Sequence, residues 1–505
     1  MHLNWFLVFI LVITSPTAPL AQDISNKRYP YEPASKPSAD IPKGEVLQFS
    51  FTQSKLYPGT SRSYWVYIPK AYKPETPACL FVCMDAVLFN APTVFDYLIH
   101  KGDMPVTIGV FIQSGAIRIN DSVVIRYNRT NEFDNINDRF VRFIEEEILT
   151  DVKRQKASDG RPINISPDGN DHAIAGVSSG AICAFTAAWH RPDLFTRVFS
   201  AIGTYVGMRG GDQFPVLIRK TEPKPLRVYL QDNKNDTWNP LFGNWYLANV
   251  DMEAALNFAG YEVTNMWQEG GHEIEQATAI FADAMRWLWK GWPEPVNKGW
   301  SANDMLTAIL DTNEYWQQVV EMPNTASLEP NNKTTLPDGS QYILQNGIIF
   351  YKVKGKTVVI DRDANLGYAL AVSPDKRQLV VSGKHSRWLY DYIIQPDGKL
   401  TVKQRLYWLH NPGNDDTSEV RSMAFDTNGN LYVATEIGVQ ICDQNGRVRA
   451  ILSLPGGAVT SLWFGGEKLD TLFVACGGKL YKRKLKVTGA RSSQKSIIPV
   501  SQGGG

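Results

Sequence analysis

Residues 172–190 read HAIAGVSSGAICAFTAAWH, and this stretch decides the fold of the first half of the chain. The apolar run 172–177 is typical of a buried strand, and the residues after Ser179 are typical of a helix. Between them, Gly176 and Gly180 bracket Ser178 in the pattern Gly-x-Ser-x-Gly. A serine at such a turn projects its hydroxyl above the sheet edge, and side chains at the two glycines would clash. The stretch predicts a nucleophile elbow; the alternative is a glycine-rich turn without chemistry.

Strand-like and helix-like segments alternate on both sides of this stretch, over residues 45–292. Short apolar or β-branched runs mark further strands at 64–69, 79–84, 106–112, 197–202 and 226–231. Helical segments lie between them. Such alternation predicts a mostly parallel sheet covered by helices on both faces, which is an α/β fold.

A reactive serine needs a histidine base, and the histidine needs a carboxylate that orients it. In this architecture the acid and then the histidine follow the serine along the chain. His190 lies on the helix that follows Ser178, roughly 18 Å down its axis, and the histidines beyond 300 belong to a different region. His272, in the loop EGGHE, remains as the base. Asp236 is the preferred acid, and Asp232 is the alternative.

Acyl transfer also needs hydrogen-bond donors for the oxyanion that develops on the carbonyl oxygen when the acyl carbon is attacked. The backbone N–H of Ser179, at the start of the predicted helix, is one candidate. The second donor should come from the loop after the strand 79–84, that is, from Asp85 or Ala86.

Charge and the N-terminus narrow the possible functions and locations. Lys and Arg total 52 against 51 Asp and Glu, so no excess of positive charge favours a nucleic-acid partner. The apolar run WFLVFILVI (5–13) is too short to span a bilayer and is followed by small residues and prolines. It predicts a signal peptide over 1–22 and a secreted or periplasmic protein; a short anchor or a buried strand is the alternative. No later segment predicts a membrane span.

The second half of the chain has a different pattern of predicted secondary structure. A linker and helical piece over 293–335 precede short strands and turns, and similar strand–turn–strand segments begin at 370, 423 and 462. Their spacing is close to the length of one propeller blade. An all-β propeller region over 336–488 is therefore expected, with four or five blades or an incomplete ring. A disordered tail is expected over 489–505.

Residues 45–292 resemble the esterase family that contains enterochelin esterases, feruloyl esterases and acetylxylan esterases. The resemblance runs through IAGVSSGAICAFTAAWHRPDLF (174–195), the segment 230–249 and WQEGGHE (267–273). It implies an α/β-hydrolase fold, a Ser178–Asp236–His272 triad and ester cleavage without a cofactor.

The same resemblance supplies candidate substrate contacts. Arg129 and Glu132, followed by Phe133, match an Arg-x-x-Glu-aromatic pattern in a site loop of that family; the alternative is a solvated charged loop. Trp245 is either a sugar-stacking aromatic or a core residue. The expected protein is a secreted serine carboxylesterase that acts on acylated carbohydrates or other small esters.

Residues 300–488 resemble part of a gluconolactonase or regucalcin propeller, through LAVSPD (370–375), the segment 423–448 and FGGEKLDTLFVAC (464–476). That family binds one divalent metal on the central axis through Glu, Asn and Asp side chains.

The metal ligands of that family are mostly replaced in this sequence. The expected positions read Tyr368-Ala369, Arg421 and Gly383, with Glu329 as a weak match to the glutamate. Because a hard cation needs several oxygen ligands, we expect no metal and a degenerate propeller that docks on the esterase region or on glycan. The alternatives are a metal-dependent lactonase, or a glycan-binding protein on an inactive esterase scaffold.

Overall fold

The structure is a computed structural model, and it describes residues 29–120, 123–320, 331–411, 419–454 and 457–501. The predicted signal peptide (1–22) and Glu329 lie outside these ranges. Within them, no helix is both long enough and apolar enough to cross a membrane.

The first region is built on one large, mostly parallel sheet. Its strands and the two short hairpins that accompany them are β1 (Glu45–Phe51), β2 (Arg62–Ile68), β3 (Cys79–Met84), β4 (Thr107–Ile112), β5 (Ala116–Asn120), β6 (Val123–Tyr127), β7 (His172–Val177), β8 (Arg197–Ala201), β9 (Arg227–Asn233), β10 (Trp238–Asn239), β11 (Gly243–Asn244) and β12 (Glu262–Gln268). The sheet has eight strands in the order β1-β2-β4-β3-β7-β8-β9-β12. β2 pairs antiparallel with both neighbours, and the strands from β4 to β12 are parallel.

Helices cover both faces of this sheet. They are α1 (Ala91–Lys101), α2 (Arg129–Phe133), α3 (Arg139–Arg142), α4 (Leu149–Val152), α5 (Ser179–His190), α6 (Phe214–Lys220), α7 (Trp245–Phe258), α8 (Glu275–Trp289) and, beyond the sheet, α9 (Asp304–Ile309). Successive residues of β3 belong to different cores: Phe81 packs in the core with α1 and α8, and Val82 packs in the core with α5. This period of two, with both sides buried, is what a central strand of an α/β sheet requires. The predicted fold is confirmed.

Over the part of the chain that the structure describes, the second region forms four four-stranded antiparallel sheets, which are the blades of a propeller. Their strands are β13 (Gln317–Val319), β14 (Lys333–Thr335), β15 (Gln341–Gln345), β16 (Ile348–Val353), β17 (Lys356–Arg362), β18 (Leu366–Val372), β19 (Gln378–Gly383), β20 (Trp388–Ile394), β21 (Leu400–Trp408), β22 (Met423–Phe425), β23 (Leu431–Thr435), β24 (Gly438–Cys442), β25 (Val448–Leu452), β26 (Val459–Gly465), β27 (Thr471–Cys476) and β28 (Lys479–Lys484). The inner strands are β14, β18, β22 and β26. The all-β prediction is confirmed, with four blades.

The fourth blade is completed by a strand from the beginning of the propeller. Its order is β13-β28-β27-β26, and Gln317 to Val319 pair antiparallel with residues 480–482. The sequence placed this short segment in the linker over 293–335. The pairing ties the beginning of the propeller region to its last blade.

The propeller docks on the first region at the amino edge of the large sheet, ahead of β9. Glu222 forms buried ion pairs with Arg483 of β28 and with Lys298, both at 2.7 Å. Its backbone N–H donates to the carbonyl of Ile451 in β25 at 3.0 Å. The propeller therefore contacts the sheet at the edge opposite to the carboxyl ends of the parallel strands.

The C-terminal segment 489–501 lies against the propeller, whereas the sequence predicts disorder there. The N–H of Ala490 donates to the Phe425 carbonyl at 2.8 Å, and that of Ile497 donates to the Pro374 carbonyl at 3.0 Å. Gly489 passes so close to Phe464 that a Cβ on the glycine would lie 2.2 Å from the Phe464 Cβ. Backbone hydrogen bonds to the turns of two blades order a segment that contains few apolar side chains.

Candidate active site

The turn between β7 and α5 has the strained backbone expected of a nucleophile elbow. Ser178 adopts φ +57° and ψ −120°, which few residues other than glycine occupy. A Cβ on Gly176 would lie 2.1 Å from the Gly180 carbonyl oxygen, and a Cβ on Gly180 would lie 3.0 Å from that of Met84. Gly176 has no room for a side chain, and Gly180 has little. Together the glycines allow the sharp turn that presents the Ser178 hydroxyl.

The structure brings Ser178, His272 and Asp236 together in one hydrogen-bonded chain. His272 Nε2 lies 2.9 Å from Ser178 Oγ, and His272 Nδ1 lies 2.7 Å from Asp236 Oδ1. The Asp236 side chain is fully buried, whereas 32% of the His272 side chain is exposed. The loop that holds His272 is fixed by Asn233, whose Nδ2 donates to the Gly271 carbonyl at 2.7 Å. A hydroxyl, an imidazole and a buried carboxylate in this order can make a serine nucleophilic.

Asp236 is held ionised by its hydrogen bonds. It follows β9 in a tight turn, in which its N–H donates to the Asn233 carbonyl at 3.0 Å. Burial opposes ionisation, but hydrogen bonds from His272 and Asp232 outweigh burial and lower the pKa of Asp236. One Asp236 oxygen also accepts from the N–H of Thr237. The carboxylate is therefore suited to stabilise a positively charged imidazole.

Asp232, the alternative acid, is a buried partner of Asp236. Burial raises the pKa of Asp232 to about 9, and the hydrogen bond to Asp236 and its negative charge act in the same direction. Asp232 Oδ1 accepts from the N–H of Asn233 at 2.7 Å. The raised pKa favours the protonated form of Asp232 beside the ionised Asp236, and Asp236 is the residue that contacts His272.

Replacement of Asp232 by asparagine should remove one titrating group from the protein. The folded-state pKa of Asp232 exceeds the unfolded value of about 3.9, so the folded form binds an extra proton between about pH 4 and pH 9. Stability from this group is present below pH 4 and is lost as the pH rises towards 9. Asp232→Asn keeps a hydrogen-bond donor at this position but does not titrate. The melting temperature of the variant minus that of the wild type should therefore be higher at pH 8 than at pH 5. Melting curves at the two pH values test this.

Asp232→Ala is the control for this substitution. Alanine also removes the titration but provides no donor to Asp236, so we expect a loss of stability at both pH values. An equal effect of the Asn and Ala variants at pH 8 would contradict a donor role for Asp232.

The two predicted oxyanion donors lie at the carboxyl ends of β3 and β7. The N–H of Asp85 donates to the Ile112 carbonyl at 2.8 Å, so that donor is already used. Ala86 is therefore the better candidate for the second donor, beside the N–H of Ser179. Asp85 has a positive φ of 76°, which turns the chain sharply after β3.

Arg129 holds the loop that carries Ala86 in place through contacts with Asp85. Its Nε and Nη2 contact the two carboxylate oxygens of Asp85 at 2.8 and 2.9 Å, and Nη2 also lies 3.4 Å from the Val177 carbonyl. The guanidinium thus links the oxyanion loop to the residue before Ser178. About a third of the Arg129 side chain is exposed, so a face of it remains accessible. Arg129, which the sequence predicts as a substrate contact, therefore also positions the loop that carries Ala86.

Glu132 does not face the substrate, in contrast to the interpretation from the sequence. It is 1% exposed and forms a two-pronged ion pair with Arg62, with distances of 2.6 and 2.9 Å. It also accepts from the N–H of Gly115 at 2.9 Å and from Asn128 Nδ2 at 3.1 Å. These four bonds saturate the carboxylate. Glu132 fixes the base of the site loop from inside the protein.

Trp245 lines the site, and its ring is too buried to serve as an open stacking surface. It is 6% exposed, and its ring meets that of His272 edge-on at 6.1 Å between centroids. Its Nε1 donates to Thr204 Oγ1 at 3.2 Å, and this hydroxyl lies 3.2 Å from Ser178 Oγ. Thr204 was not found from the sequence. Its only signal is its position just after β8, the strand next to the nucleophile strand.

The propeller axis contains a channel of about 280 Å³, lined by the four inner strands and by residues 489–492. Its described lining includes Lys333 and Arg491 but no Asp, Glu, His or Cys. Elsewhere in the described ranges, too, no group of three or more such side chains is placed to hold a metal. The replaced position Arg421 pairs with Glu419 at 2.6 Å. This donor set does not fit a divalent cation.

Family models match both regions of the chain. Residues 57–306 match the Esterase family, described as "Putative esterase", and residues 302–477 match the "SMP-30/Gluconolactonase/LRE-like region". The protein thus combines an Esterase-family region with a gluconolactonase-like propeller region. The two resemblances inferred from the sequence are confirmed.

Individual relatives are distant. A protein of Sulfolobus acidocaldarius without an assigned function is 27% identical over 173 residues, which are 32% of this chain and 58% of that relative. A ferulic acid esterase structure is 15% identical, covers 49% of this chain and 98% of its own, and has a TM-score of 0.36. The enterobactin esterase of Shigella flexneri is 21% identical, with coverages of 52% and 63% and a TM-score of 0.38. A gluconolactonase-family structure is 20% identical, with coverages of 32% and 60% and a TM-score of 0.28.

Proposed function

We propose that the first region is a serine carboxylesterase with Ser178 as nucleophile, His272 as general base and acid, and Asp236 as the orienting carboxylate. One observation carries this proposal. The Ser178 hydroxyl sits on a strained turn at 2.9 Å from His272, which in turn lies 2.7 Å from a buried carboxylate. The match of residues 57–306 to the Esterase family supports the same reaction.

The geometry gives each group a step in ester hydrolysis. Ser178 Oγ attacks the acyl carbon while His272 Nε2 takes its proton, and the N–H groups of Ser179 and Ala86 stabilise the oxyanion. His272 then returns the proton to the departing alcohol, which leaves an acyl group on Ser178. A water molecule, deprotonated by His272, attacks this acyl-enzyme and releases the carboxylic acid and the free serine.

Acylated carbohydrates are the proposed substrates, and the protein is proposed to be exported. The substrate class is supported by the resemblance to esterases of that kind, and export by the apolar run at 5–13. For the propeller we propose a non-catalytic role in packing on the esterase region, supported by the Glu222–Arg483 contact and by a channel lining that suits no divalent cation. Metal-dependent lactonase activity is therefore not proposed.

Labelling with a fluorophosphonate, followed by a substrate panel, tests this function. We expect one label per chain, on the peptide that contains Ser178, because only an activated serine reacts readily with such a reagent. The labelled protein should lose hydrolysis of p-nitrophenyl acetate, and the unlabelled protein should release acid from acetylated, feruloylated or glucuronoylated oligosaccharides. Binding of these oligosaccharides without turnover, and without labelling, would favour an inactive glycan-binding scaffold instead.

A further inference from the structure

Large apolar side chains are exposed in two hairpins of the esterase region. The first hairpin is β5–β6, and the second is β10–β11 with the first turn of α7. Six of their side chains are between 60% and 82% exposed. We call these residues the apolar rim: Ile119, Ile125, Tyr127, Trp238, Leu241 and Leu247.

The topology of the sheet places the rim on both sides of Ser178. The first hairpin follows β4 and the second follows β9, and both strands end at the same edge as β7. In the order β4-β3-β7-β8-β9, each hairpin stands two strands from the nucleophile strand. At about 4.8 Å between strands, the ends of β4 and β9, from which the two hairpins continue, lie about 10 Å to either side of the end of β7.

Both hairpins are anchored at their bases while their apolar side chains face solvent. In the first, the N–H of Asn128 donates to the Gly115 carbonyl at 2.9 Å. In the second, the N–H of Gly207 donates to the Phe242 carbonyl at 2.9 Å, and that of Trp245 donates to the Thr237 carbonyl at 3.0 Å. The rim is thus presented by fixed segments that lead directly into Arg129 and out of Asp236.

Several exposed large apolar side chains on two hairpins that stand on either side of a reactive group indicate a binding surface. The occupant of this surface has to lie across Ser178 when the ester carbon is in place. Bonds of about 1.5 Å in a staggered chain advance roughly 1.3 Å per carbon, so an acyl chain of about eight carbons covers the 10 Å between the end of β7 and the base of either hairpin. An acetyl group is far too short to reach it.

We propose that the apolar rim binds an extended aliphatic acyl chain of the substrate, so that the site prefers medium-chain acyl esters to acetyl esters. This inference rests on the proposed esterase function and refines it. The acyl chain would lie along one of the two hairpins, and the alcohol part would leave on the other side. Burial of each methylene against the rim would then favour longer chains.

A comparison of two substrates tests the rim. The full chain is assayed with p-nitrophenyl acetate and p-nitrophenyl octanoate below the concentration at which the octanoate forms micelles. We expect kcat/KM to be at least about tenfold higher for octanoate, since six further methylenes are partly buried. Two double variants locate the acyl chain: Ile119→Ser/Ile125→Ser in the first hairpin and Trp238→Ser/Leu241→Ser in the second. One of them should reduce the octanoate-to-acetate ratio of kcat/KM about tenfold, and the hairpin that it changes is the one that binds the acyl chain.

The control is Val402→Ser in β21, which removes a 66% exposed apolar side chain from the propeller and should not change the ratio. Circular dichroism confirms that each variant is folded. A wild-type ratio near one, or a ratio that neither double variant changes, would overturn the proposed acyl site even if acetate is hydrolysed. Failure of the wild type to hydrolyse either ester would instead contradict the proposed esterase function.

Discussion

Ser178→Ala is expected to reduce kcat/KM for ester hydrolysis by about 10⁴-fold or more. The substitution removes the oxygen that lies 2.9 Å from His272 Nε2, and with it the route through an acyl-enzyme. Alanine leaves the backbone and the oxyanion donors in place, so the folded structure should be retained. Steady-state kinetics with p-nitrophenyl acetate measures the loss, and a melting curve checks the fold.

The adjacent serine provides a matched control. Ser179→Ala removes a hydroxyl one residue away but keeps the backbone N–H proposed to contact the oxyanion, so its loss of kcat/KM should be much smaller. Similar losses in the two variants would show that a disturbance of the turn, rather than loss of the nucleophile, explains the effect. Retained activity in Ser178→Ala would contradict the assignment of the nucleophile.

Glu132→Ala is expected to destabilise the protein by about 3–5 kcal/mol. The reason is that Arg62 and Glu132 are both fully buried in their side chains, so alanine leaves an uncompensated guanidinium inside the protein. The N–H of Gly115 and the amide of Asn128 lose their acceptor as well. Thermal unfolding should show the transition of the esterase region lowered by about 10 °C.

Glu146→Ala is the matched control for the buried pair. Glu146 forms an ion pair with Arg142 at 3.0 Å, but both side chains are more than 40% exposed. Such surface pairs contribute less than about 1 kcal/mol, so the melting temperature should change by only a few degrees. If Glu132→Ala costs no more than Glu146→Ala, the buried pair does not stabilise the site loop.

The features that were predictable from the sequence are those encoded within one contiguous stretch or by chain order. Gly176, Ser178 and Gly180 are neighbours, and the local geometry alone explains why the turn needs those residues. His272 was reached by elimination, and Asp236 was preferred to Asp232 by its place in the loop. The structure brings these groups into contact, and their catalytic roles remain to be tested.

The features that were missed depend on contacts between distant residues or on backbone groups. The resemblance to an Arg-x-x-Glu-aromatic pattern makes Glu132 a candidate substrate contact; its actual partner Arg62 lies 70 positions away, and no spacing rule connects the two. The proton on Asp232 follows from burial, which the sequence does not show. The C-terminal segment 489–501 is held by its backbone N–H and C=O groups, and these leave no side-chain signal.

The strand that completes the fourth blade determines when the propeller can be finished during synthesis. β13 is made before any blade, but its partner β28 is made only after the first three blades. Until then β13 has no partner, and a fragment cut at residue 336 would lack both β13 and β14 permanently and leave the outer edge of β28 bare. Bare strand edges promote association between molecules. An excised propeller should therefore begin before Gln317 if it is to remain monomeric.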